Sequence, residues 1–427
     1  MYIERLHVRN VRLLAEQEVS FLNADGSPRL WTVIVGENGV CKSTILQAIA
    51  LAAMGPKLGS ALVQNAQRLR NLNSPEPASI TAGFQFPSGK RLASALRIEP
   101  DRFDLIPGDD PDGALRIDEV RAHRRPDWFV VGYGVGRFLA EPGETALPPD
   151  PIVDRVRGLF NLRHKMLGIN FFNALRLTSS YSTASRFSDF LHRALTMEDE
   201  MAGRLLPGIQ GLDLDPDDER PSPVFESNRF EIEIGGQRLK IPATWLSDGY
   251  QAMLSWVADL LGHALLDLNG SADPQELRGI VLLDEIDLHL HPTWQRKIVP
   301  LLRRIFPKLQ FIVNSHSPLV LAGFEREEII LLKFEDGKVV QDPAPIEPGV
   351  LTASEILTNF FDVPRAGRPD LVQKERRYVE LKAKTNPDLS EEQEMVALKR
   401  DLAPYMAPST SLETEMLSPE QILKRGA

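Results

Sequence analysis

One segment constrains this chain more than any other: an apolar strand that runs into a glycine-rich turn and then into a helix. The strand is Trp31-Thr-Val-Ile-Val35, and the residues after it read Gly36-Glu37-Asn38-Gly39-Val40-Cys41-Lys42-Ser43-Thr44. This order predicts a P-loop, in which backbone N–H groups and the positive end of the helix hold phosphates. In such a loop Lys42 reaches the β- and γ-phosphates, and the Ser43 hydroxyl binds Mg²⁺. The sequence therefore predicts a nucleotide site whose helix runs from Lys42 to Met54.

One position departs from the usual P-loop pattern. Glycine normally precedes the lysine because it lets the loop approach phosphate closely, whereas this chain has Cys41. A Cβ atom at this position either crowds the loop or forces a different backbone angle. Three hypotheses stay open: the loop tolerates a small residue, the chain binds nucleotide but hydrolyses it slowly, or the thiol is a site of redox control.

A second apolar run ends in two acidic residues. Residues 279–283 read Gly-Ile-Val-Leu-Leu, and Asp284 and Glu285 follow directly. A continuous apolar run of this length predicts a strand that is buried on both faces of a parallel sheet. With a P-loop earlier in the chain, Asp284 is predicted to hold Mg²⁺ through water, and Glu285 to polarise the attacking water.

A third apolar run, Leu309-Gln-Phe-Ile-Val313, is also followed by polar residues. Among them His316 is the candidate for a functional side chain. A lone histidine after a strand is usually structural, but its place after the P-loop and the acidic pair favours a functional role. We predict that His316 contacts the γ-phosphate.

The segment Leu246-Ser247-Asp248-Gly249-Tyr250-Gln251 precedes apolar residues at helical spacing. Ser247 is predicted to cap that helix, whose exposed amides form an anion site. Between a P-loop and an Asp-Glu strand, the segment resembles the signature of ABC-type ATPases, LSGGQ in its best-known form. The resemblance implies that Ser247 and Gly249 close the ATP site of another subunit, in a head-to-tail homodimer or a higher even oligomer.

Several further segments resemble the RecF/SMC-like and OLD-like branch of these ATPases rather than transporter subunits. They are the alternating start of the chain, the string after Asp284 and the string around His316, at residues 1–14, 284–292 and 314–318. Within that branch, residues 131–137, 205–208 and 246–249 resemble stand-alone ATPases of bacterial anti-phage systems, such as PtuA of Septu and retron-associated ATPases. The resemblance implies an ATPase that uses ATP and Mg²⁺ to control a separate effector, a nuclease or a toxin.

The predicted fold class is α/β, a P-loop NTPase of ABC type with a mixed sheet, an inserted helical lobe and a helical C-terminal tail. Its predicted parts are residues 1–54 (P-loop part of the nucleotide-binding domain), 55–244 (insertion), 245–345 (signature, Asp-Glu and histidine part) and 346–427 (tail). The tail lacks the strands and clustered carboxylates of a nuclease domain, so any nuclease is expected to be a separate protein.

Local patterns predict the elements inside these parts. Residues 153–172 and 185–206 have the apolar spacing of helices. Residues 230–241 and 328–340 predict hairpins that turn at Gly235-Gly236 and Asp336-Gly337. In the tail, the pattern predicts helices over 353–361, 372–384 and 390–402.

Composition limits the compartment and the partners. The single cysteine excludes an intramolecular disulfide and fits a reducing cytosol. No uninterrupted apolar run approaches the roughly 20 residues that span a bilayer, and the N-terminus reads as a strand rather than a signal peptide. The net charge of −10 opposes DNA, because binding to nucleic acid is driven by neutralising phosphates. We expect a cytoplasmic protein without a membrane partner, for which nucleic acid is possible but not favoured.

Two alternative functions stay open at this point. The first is a RecF-like ATPase of DNA repair or recombination, which DNA-stimulated turnover would favour and the acidic charge disfavours. The second is a nucleotide-gated scaffold with weak hydrolysis, which is suggested mainly by Cys41 in place of the usual glycine. The sequence leaves the effector, its trigger and the role of the tail open.

Overall fold

The computed structural model of the protein describes residues 1–108, 117–123, 127–137, 147, 150–214, 228–267, 273–363, 369–382, 384 and 388–402. The chain divides into two compact units, Met1–Phe361 and Asp362–Ala427. The predicted boundaries after residues 54, 244 and 345 stay predictions, and residues 403–427 of the predicted tail lie outside the described part.

The described strands are β1 Tyr2–Val11, β2 Leu14–Ser20, β3 Trp31–Gly36, β4 Ala78–Gln85, β5 Arg91–Ile98, β6 Ile106–Pro107, β7 Val130–Tyr133, β8 Glu198–Asp199, β9 Gly203–Arg204, β10 Ile209–Asp213, β11 Arg229–Ile234, β12 Gln237–Ile241, β13 Gly279–Leu283, β14 Leu309–Asn314, β15 Ile329–Glu335 and β16 Lys338–Asp342. The described helices are α1 Lys42–Val63, α2 Ile117–His123, α3 Pro151–Arg157, α4 Phe171–Thr178, α5 Tyr181–Thr196, α6 Asp248–Asp267, α7 Pro292–Gln295, α8 Ile298–Ile305, α9 Pro318–Leu321, α10 Ala353–Phe361, α11 Pro369–Lys382 and α12 Leu389–Leu402.

The sheet that carries the predicted motifs has six strands in the order β16-β15-β3-β14-β13-β7. All neighbouring pairs are parallel except β15 and β16, so the sheet is mixed, as predicted. Alternate residues of β3 enter different cores: Val33 and Val35 pack on one face, and Ile34 packs on the other. Burial on both faces explains why these strands are continuous apolar runs rather than alternating ones.

Helix α1 packs between this sheet and an antiparallel sheet of order β2-β1-β4-β5-β6. Gly55 adopts non-helical angles inside α1, so the regular helix stops at Met54, as predicted, and resumes after the break. Among the described helices, α1 alone is long and apolar enough to cross a membrane, and 67% of its most apolar stretch is buried inside the protein. Since a core helix meets the same test, α1 is weak evidence for a membrane span.

The opposite face of the six-stranded sheet is covered by helices α4, α5, α6 and α8, with the small sheet β10-β11-β12 beside them. The predicted hairpins are confirmed, since β11 and β12 turn at Gly235-Gly236 and β15 and β16 turn at Asp336-Gly337. The helix predicted over residues 185–206 is correct only in its first part, because α5 ends at Thr196 and β8 and β9 follow it. The single helix predicted over residues 153–172 is wrong. The structure has α3, then turns from residue 158 to 167, a short 3₁₀ turn at Gly168–Asn170 and then α4, because glycines weaken a helix at both breaks.

The second unit contains α11 and α12 within its described residues. Arg377 forms an ion pair with Glu394 at 2.8 Å, and Lys374 pairs with Asp401 at 2.7 Å. These two helices confirm the helices predicted over residues 372–384 and 390–402. The first begins at Pro369, three residues before its predicted start.

Candidate nucleotide-binding site

The carboxyl ends of β3, β14 and β13 lie side by side at one edge of the sheet, the position at which parallel α/β sheets bind ligands. The loops that leave these strands enclose a cavity of about 370 Å³. The cavity is lined by Arg12, Leu13, Asn38, Gly39, Cys41, Lys42, Ser43, Thr44, Glu285, Asn314 and His316. Residues predicted from three separate motifs are thus brought together around one space.

Three predicted loop residues are not among those that line the cavity: Gly36, Glu37 and Val40. Val40 is buried in the core that contains α1, so it anchors the loop by packing. Gly36 lies so close to β15 that an added Cβ would be 2.2 Å from the Leu332 carbonyl oxygen, which only glycine permits. The carbonyls of Gly36 and Glu37 accept hydrogen bonds from the lysine of the loop. The predicted contact of these residues with phosphate stays a prediction.

Lys42 is held inside the loop. Its Nζ donates to the carbonyl oxygens of Gly36 at 2.8 Å and Glu37 at 2.7 Å, and the residue is 7% exposed. Burial lowers the pKa of Lys42 from 10.5 to about 8, although the carboxylates of Asp284, Glu285 and Glu37 act in the opposite direction. The ammonium therefore lies beside the cavity, with two backbone carbonyl oxygens as hydrogen-bond partners.

The lowered pKa of Lys42 predicts proton uptake when Mg-ATP binds. As pH rises through 8 the free protein loses this proton, and phosphates beside Nζ should restore it by raising the pKa toward 10.5. We expect uptake of nearly one proton at about pH 9 and little at about pH 7, where the side chain is already charged. Calorimetry in two buffers of different ionisation enthalpy measures the uptake. Lys42→Arg stays charged at both pH values, and equal uptake by this variant would contradict the prediction.

Ser43 and Asp284 meet although they are far apart in the chain. The Ser43 hydroxyl donates to Asp284 Oδ1 at 2.9 Å, and the Asn314 amide donates to the same oxygen. Mg²⁺ prefers such hard oxygen ligands and is usually bound by one or two protein groups together with substrate phosphates. Within the described residues no cluster of three His, Cys, Asp or Glu side chains could hold a metal by itself. The donor set therefore fits Mg²⁺ that is shared with a phosphate.

Glu285 lines the cavity next to this pair. Its backbone has a φ of 50°, an uncommon left-handed angle for a residue with a side chain. Asn314 fixes it from one side, because the Asn314 side-chain oxygen accepts from the Glu285 N–H. Sequence reasoning missed Asn314; its signal was a polar residue at the end of a fully buried strand, β14.

His316 reaches the cavity from the loop after β14. Burial, and then the nearby charge of Lys42, lower its pKa, while the surrounding carboxylates act in the opposite direction. The imidazole is therefore neutral near pH 7, with one N–H to donate. Neighbouring side chains fix its loop: Ser315 donates to Asp287 at 2.6 Å, and Ser317 donates to Gln295 at 2.7 Å.

The backbone of Cys41 adopts an uncommon angle, and this accommodates its Cβ atom in the loop. Its φ of 65° and ψ of 24° are left-handed, and its side chain makes no capping hydrogen bond to α1. The loop thus keeps a geometry that suits glycine and accepts strain of roughly 1–2 kcal/mol to do so. The thiol itself is partly exposed and lines the cavity.

Replacing Cys41 with glycine should raise the free energy of unfolding by about 0.5–1 kcal/mol, since the relief of left-handed strain exceeds the entropy cost of glycine. Denaturant unfolding measures this gain. Cys41→Ala keeps the Cβ but removes the thiol, so it should show no gain. Equal stabilisation by both variants would mean that backbone strain is not the cause.

Turnover of the same variants separates the three hypotheses about Cys41. A large rise in the glycine variant, with nucleotide affinity little changed, would support the slowly hydrolysing scaffold. Equal turnover under reducing conditions excludes that hypothesis, and equal turnover after peroxide also excludes redox control.

Sequence reasoning also missed the turn between β1 and β2. Arg12 Nη1 donates to Thr44 Oγ1 at 3.0 Å, and burial lowers the pKa of this arginine. Leu13 beside it lines the cavity and is 49% exposed. Both residues face the cavity only because α1 packs against the antiparallel sheet, a long-range arrangement that leaves no local pattern.

The signature residues lie apart from the cavity of their own chain. Ser247 is exposed and directly precedes α6, and Gly249 sits in the first turn, where an added Cβ would be 2.4 Å from the His289 carbonyl oxygen. Neither residue lines the cavity. Their predicted contact with ATP of another subunit stays a prediction.

Two known proteins are similar to this chain in sequence. The Septu protein PtuA of Bacillus mycoides (strain KBAB4) is 27% identical over 417 residues, which are 97% of this chain and 52% of that protein. The "Retron Ec83 probable ATPase" of Escherichia coli is 34% identical over 194 residues, 45% of this chain and 31% of the relative. This chain thus spans about half the length of PtuA, and its match to the retron protein covers 31% of that protein.

The solved structure of the SmcHead bound to the C-winged helix domain of ScpA matches 81% of this chain and 98% of its own, with a TM-score of 0.49 and 18% identity. The profile of the family described as "AAA domain, putative AbiEii toxin, Type IV TA system" matches residues 31–322, which contain the P-loop, the signature, the acidic pair and the histidine. Because this match covers more than half of the chain, the chain belongs to this AAA-domain family, and its mixed sheet and P-loop agree with the predicted α/β fold class.

Proposed function

We propose that the protein binds and hydrolyses Mg-ATP in a head-to-tail dimer and thereby controls a separate effector in bacterial anti-phage defence. The observation that carries the proposal is the convergence of Lys42, Ser43, Glu285 and His316 on one cavity, with Asp284 bonded to Ser43. These are the side chains that phosphoryl transfer needs, since its catalysis consists mainly of positioning and charge stabilisation.

Each side chain has a task in the proposed reaction. The oxygen of a water bonds to the γ-phosphorus while the bond from that phosphorus to the β–γ bridging oxygen breaks, giving ADP and phosphate. Glu285 accepts the proton of the water, and Lys42 balances charge on the phosphates. Ser43 and Asp284 would hold Mg²⁺, which when bound neutralises charge on the phosphate oxygens. The neutral His316 donates a hydrogen bond to a γ-phosphate oxygen.

The exposed signature supports the dimer part of the proposal. Ser247 is exposed and does not line the cavity of its own chain, and it directly precedes the 20-residue helix α6, whose N-terminal end is the kind of site that binds an anion. Trp245, two residues earlier, is 73% exposed, as expected at a surface that a second copy covers. A homodimer or a higher even oligomer would complete each site.

The relatives support the defence part of the proposal, since a Septu protein and a retron ATPase both match this chain. A cytoplasmic location follows from the proposed function. The test has two stages. Purified protein should release phosphate from ATP only with Mg²⁺, and no release would defeat the ATPase assignment. Cells that carry the protein with its neighbouring genes should resist phage, and resistance that survives Lys42→Ala would defeat nucleotide control of the effector.

A further inference from the structure

The segment that follows β7 places one side chain beside Asp284 and Glu285, the acidic residues that follow β13. After Tyr133 the chain reads Gly134-Val135-Gly136-Arg137. A Cβ on Gly134 would be 2.2 Å from the Gly158 carbonyl oxygen, and one on Gly136 would be 2.2 Å from the Leu162 carbonyl oxygen. Only glycine permits this close path, which ends at Arg137 beside the carboxyl end of β13.

Arg137 is buried at this point, with 3% of its surface exposed. Its Nη2 donates to the carbonyl oxygen of Glu285 at 2.6 Å, whereas its Nε has no hydrogen-bond partner among the described residues. Burial lowers the pKa of Arg137 to about 10, and the nearby charges of Asp284, Asp287 and Glu285 act in the opposite direction. The guanidinium is thus a costly buried charge with incomplete pairing, which needs a functional reason.

That reason lies in the backbone of Glu285. A φ of 50° costs free energy and persists only when surrounding contacts impose it. Asn314 binds the Glu285 N–H with its side chain and the Ile286 N–H with its carbonyl oxygen, at 3.1 Å for the latter. Arg137 binds the Glu285 carbonyl oxygen, which also accepts a hydrogen bond from the Leu288 N–H at 3.0 Å. The peptide is therefore clamped from both sides.

We propose that Arg137 is a positioning residue for hydrolysis: it clamps the Glu285 main chain in its left-handed conformation and so aims the carboxylate into the cavity. This inference rests on the proposed function, because it takes Glu285 as the group that activates water. Arg137 acts through Glu285 and does not line the cavity. Its loss should therefore slow the chemical step and leave ATP binding intact.

Arg137→Met tests this role. Methionine nearly fills the volume and removes the buried charge, so the melting temperature should stay within a few degrees of wild type or rise. We expect kcat to fall by about 100-fold, as for a catalytic group displaced by about 1 Å, with KM for ATP changed less than about threefold. A kcat within threefold of wild type would overturn the proposal, as would a rise in KM that accounts for the whole loss.

Arg155 supplies the matched control. It is 2% exposed, its Nη2 bonds Asp267 at 2.6 Å, and its Nε also lacks a hydrogen-bond partner, but it does not line the cavity. Arg155→Met leaves Asp267 buried without this cation, so we expect a lower melting temperature and a kcat near wild type. If both variants lose activity in proportion to stability, Arg137 is merely structural and the proposal falls.

Two further measurements test the clamp in other ways: the first does not use the methionine variant, and the second does not use turnover. Guanidinium at low millimolar concentration should restore kcat of Arg137→Ala about tenfold or more by occupying the vacated space, and an absence of rescue counts against the clamp. In nucleotide-free protein, the Glu285 and Ile286 amides should exchange hydrogen about tenfold faster in Arg137→Met. Unchanged exchange would refute the clamp even if wild type proves unable to hydrolyse ATP, an outcome that defeats only the proposed function.

Discussion

Replacing Lys42 with alanine should weaken Mg-ATP binding by about 100-fold or more, beyond detection by calorimetry. The variant loses a cation that is held inside the loop by two carbonyl oxygens and whose low exposure leaves little solvent to screen it. Charge-assisted hydrogen bonds to phosphate contribute roughly 1.5–3 kcal/mol each, and about 3 kcal/mol corresponds to the stated change in affinity. Isothermal titration with Mg-ATP at neutral pH measures it.

The control for this prediction is Lys57→Ala, which removes an exposed lysine from the distal part of the same helix, α1. That variant should bind Mg-ATP as wild type does. Unchanged affinity in Lys42→Ala would contradict the P-loop assignment itself, because no other lysine lines the cavity among the residues that the structure describes.

Glu285→Gln should abolish turnover while ATP stays bound, so that closed dimers accumulate. The amide cannot accept the proton of the attacking water, and the loss of such a group lowers turnover by about 10²–10⁴-fold. The substitution leaves the backbone contacts to Asn314 and Arg137 in place, because they involve only main-chain atoms of Glu285. Light scattering with and without Mg-ATP measures the fraction of dimer, and phosphate release measures turnover.

A matched control is Glu335→Gln, which changes an exposed glutamate at the end of β15. It should hydrolyse ATP at the wild-type rate and show no additional dimer. If Glu285→Gln with ATP contains no more dimer than without nucleotide, the head-to-tail mechanism fails. If it hydrolyses ATP at the wild-type rate, Glu285 is not the proton acceptor.

The P-loop, two central strands and two hairpins could be predicted from the sequence, because each depends on residues that lie close together in the chain. The P-loop could be predicted because glycine, lysine and serine must stand at fixed spacing for backbone amides to hold phosphate. The strands β13 and β14 could be predicted because burial on both faces demands continuous apolar runs. The hairpin turns were predictable because Gly235-Gly236 and Asp336-Gly337 meet the positive φ angles that tight turns require.

Other parts had no local signal. The helix predicted over residues 153–172 failed because apolar residues at helical spacing also occur where separate short elements pack on a common core. Arg12 and Asn314 were assigned no role, since each acts on a residue about thirty positions away, Thr44 and Asp284. No pattern around Arg137 connects it with Glu285, 148 positions later, and only the hydrogen bond between them shows where the guanidinium lies.

Local patterns predicted the strands of the nucleotide site, the two hairpins and the polar groups that end the strands, because backbone angles, burial and phosphate chemistry act over a few residues. The tertiary structure decided which of those groups meet. Ser43 and Asp284 are separated by 241 positions, and Arg137 and Glu285 by 148, yet each pair is in hydrogen-bond contact. The physical reason is the parallel sheet: pairing β3, β14, β13 and β7 in one register brings their carboxyl ends to one edge, and no local pattern encodes that order.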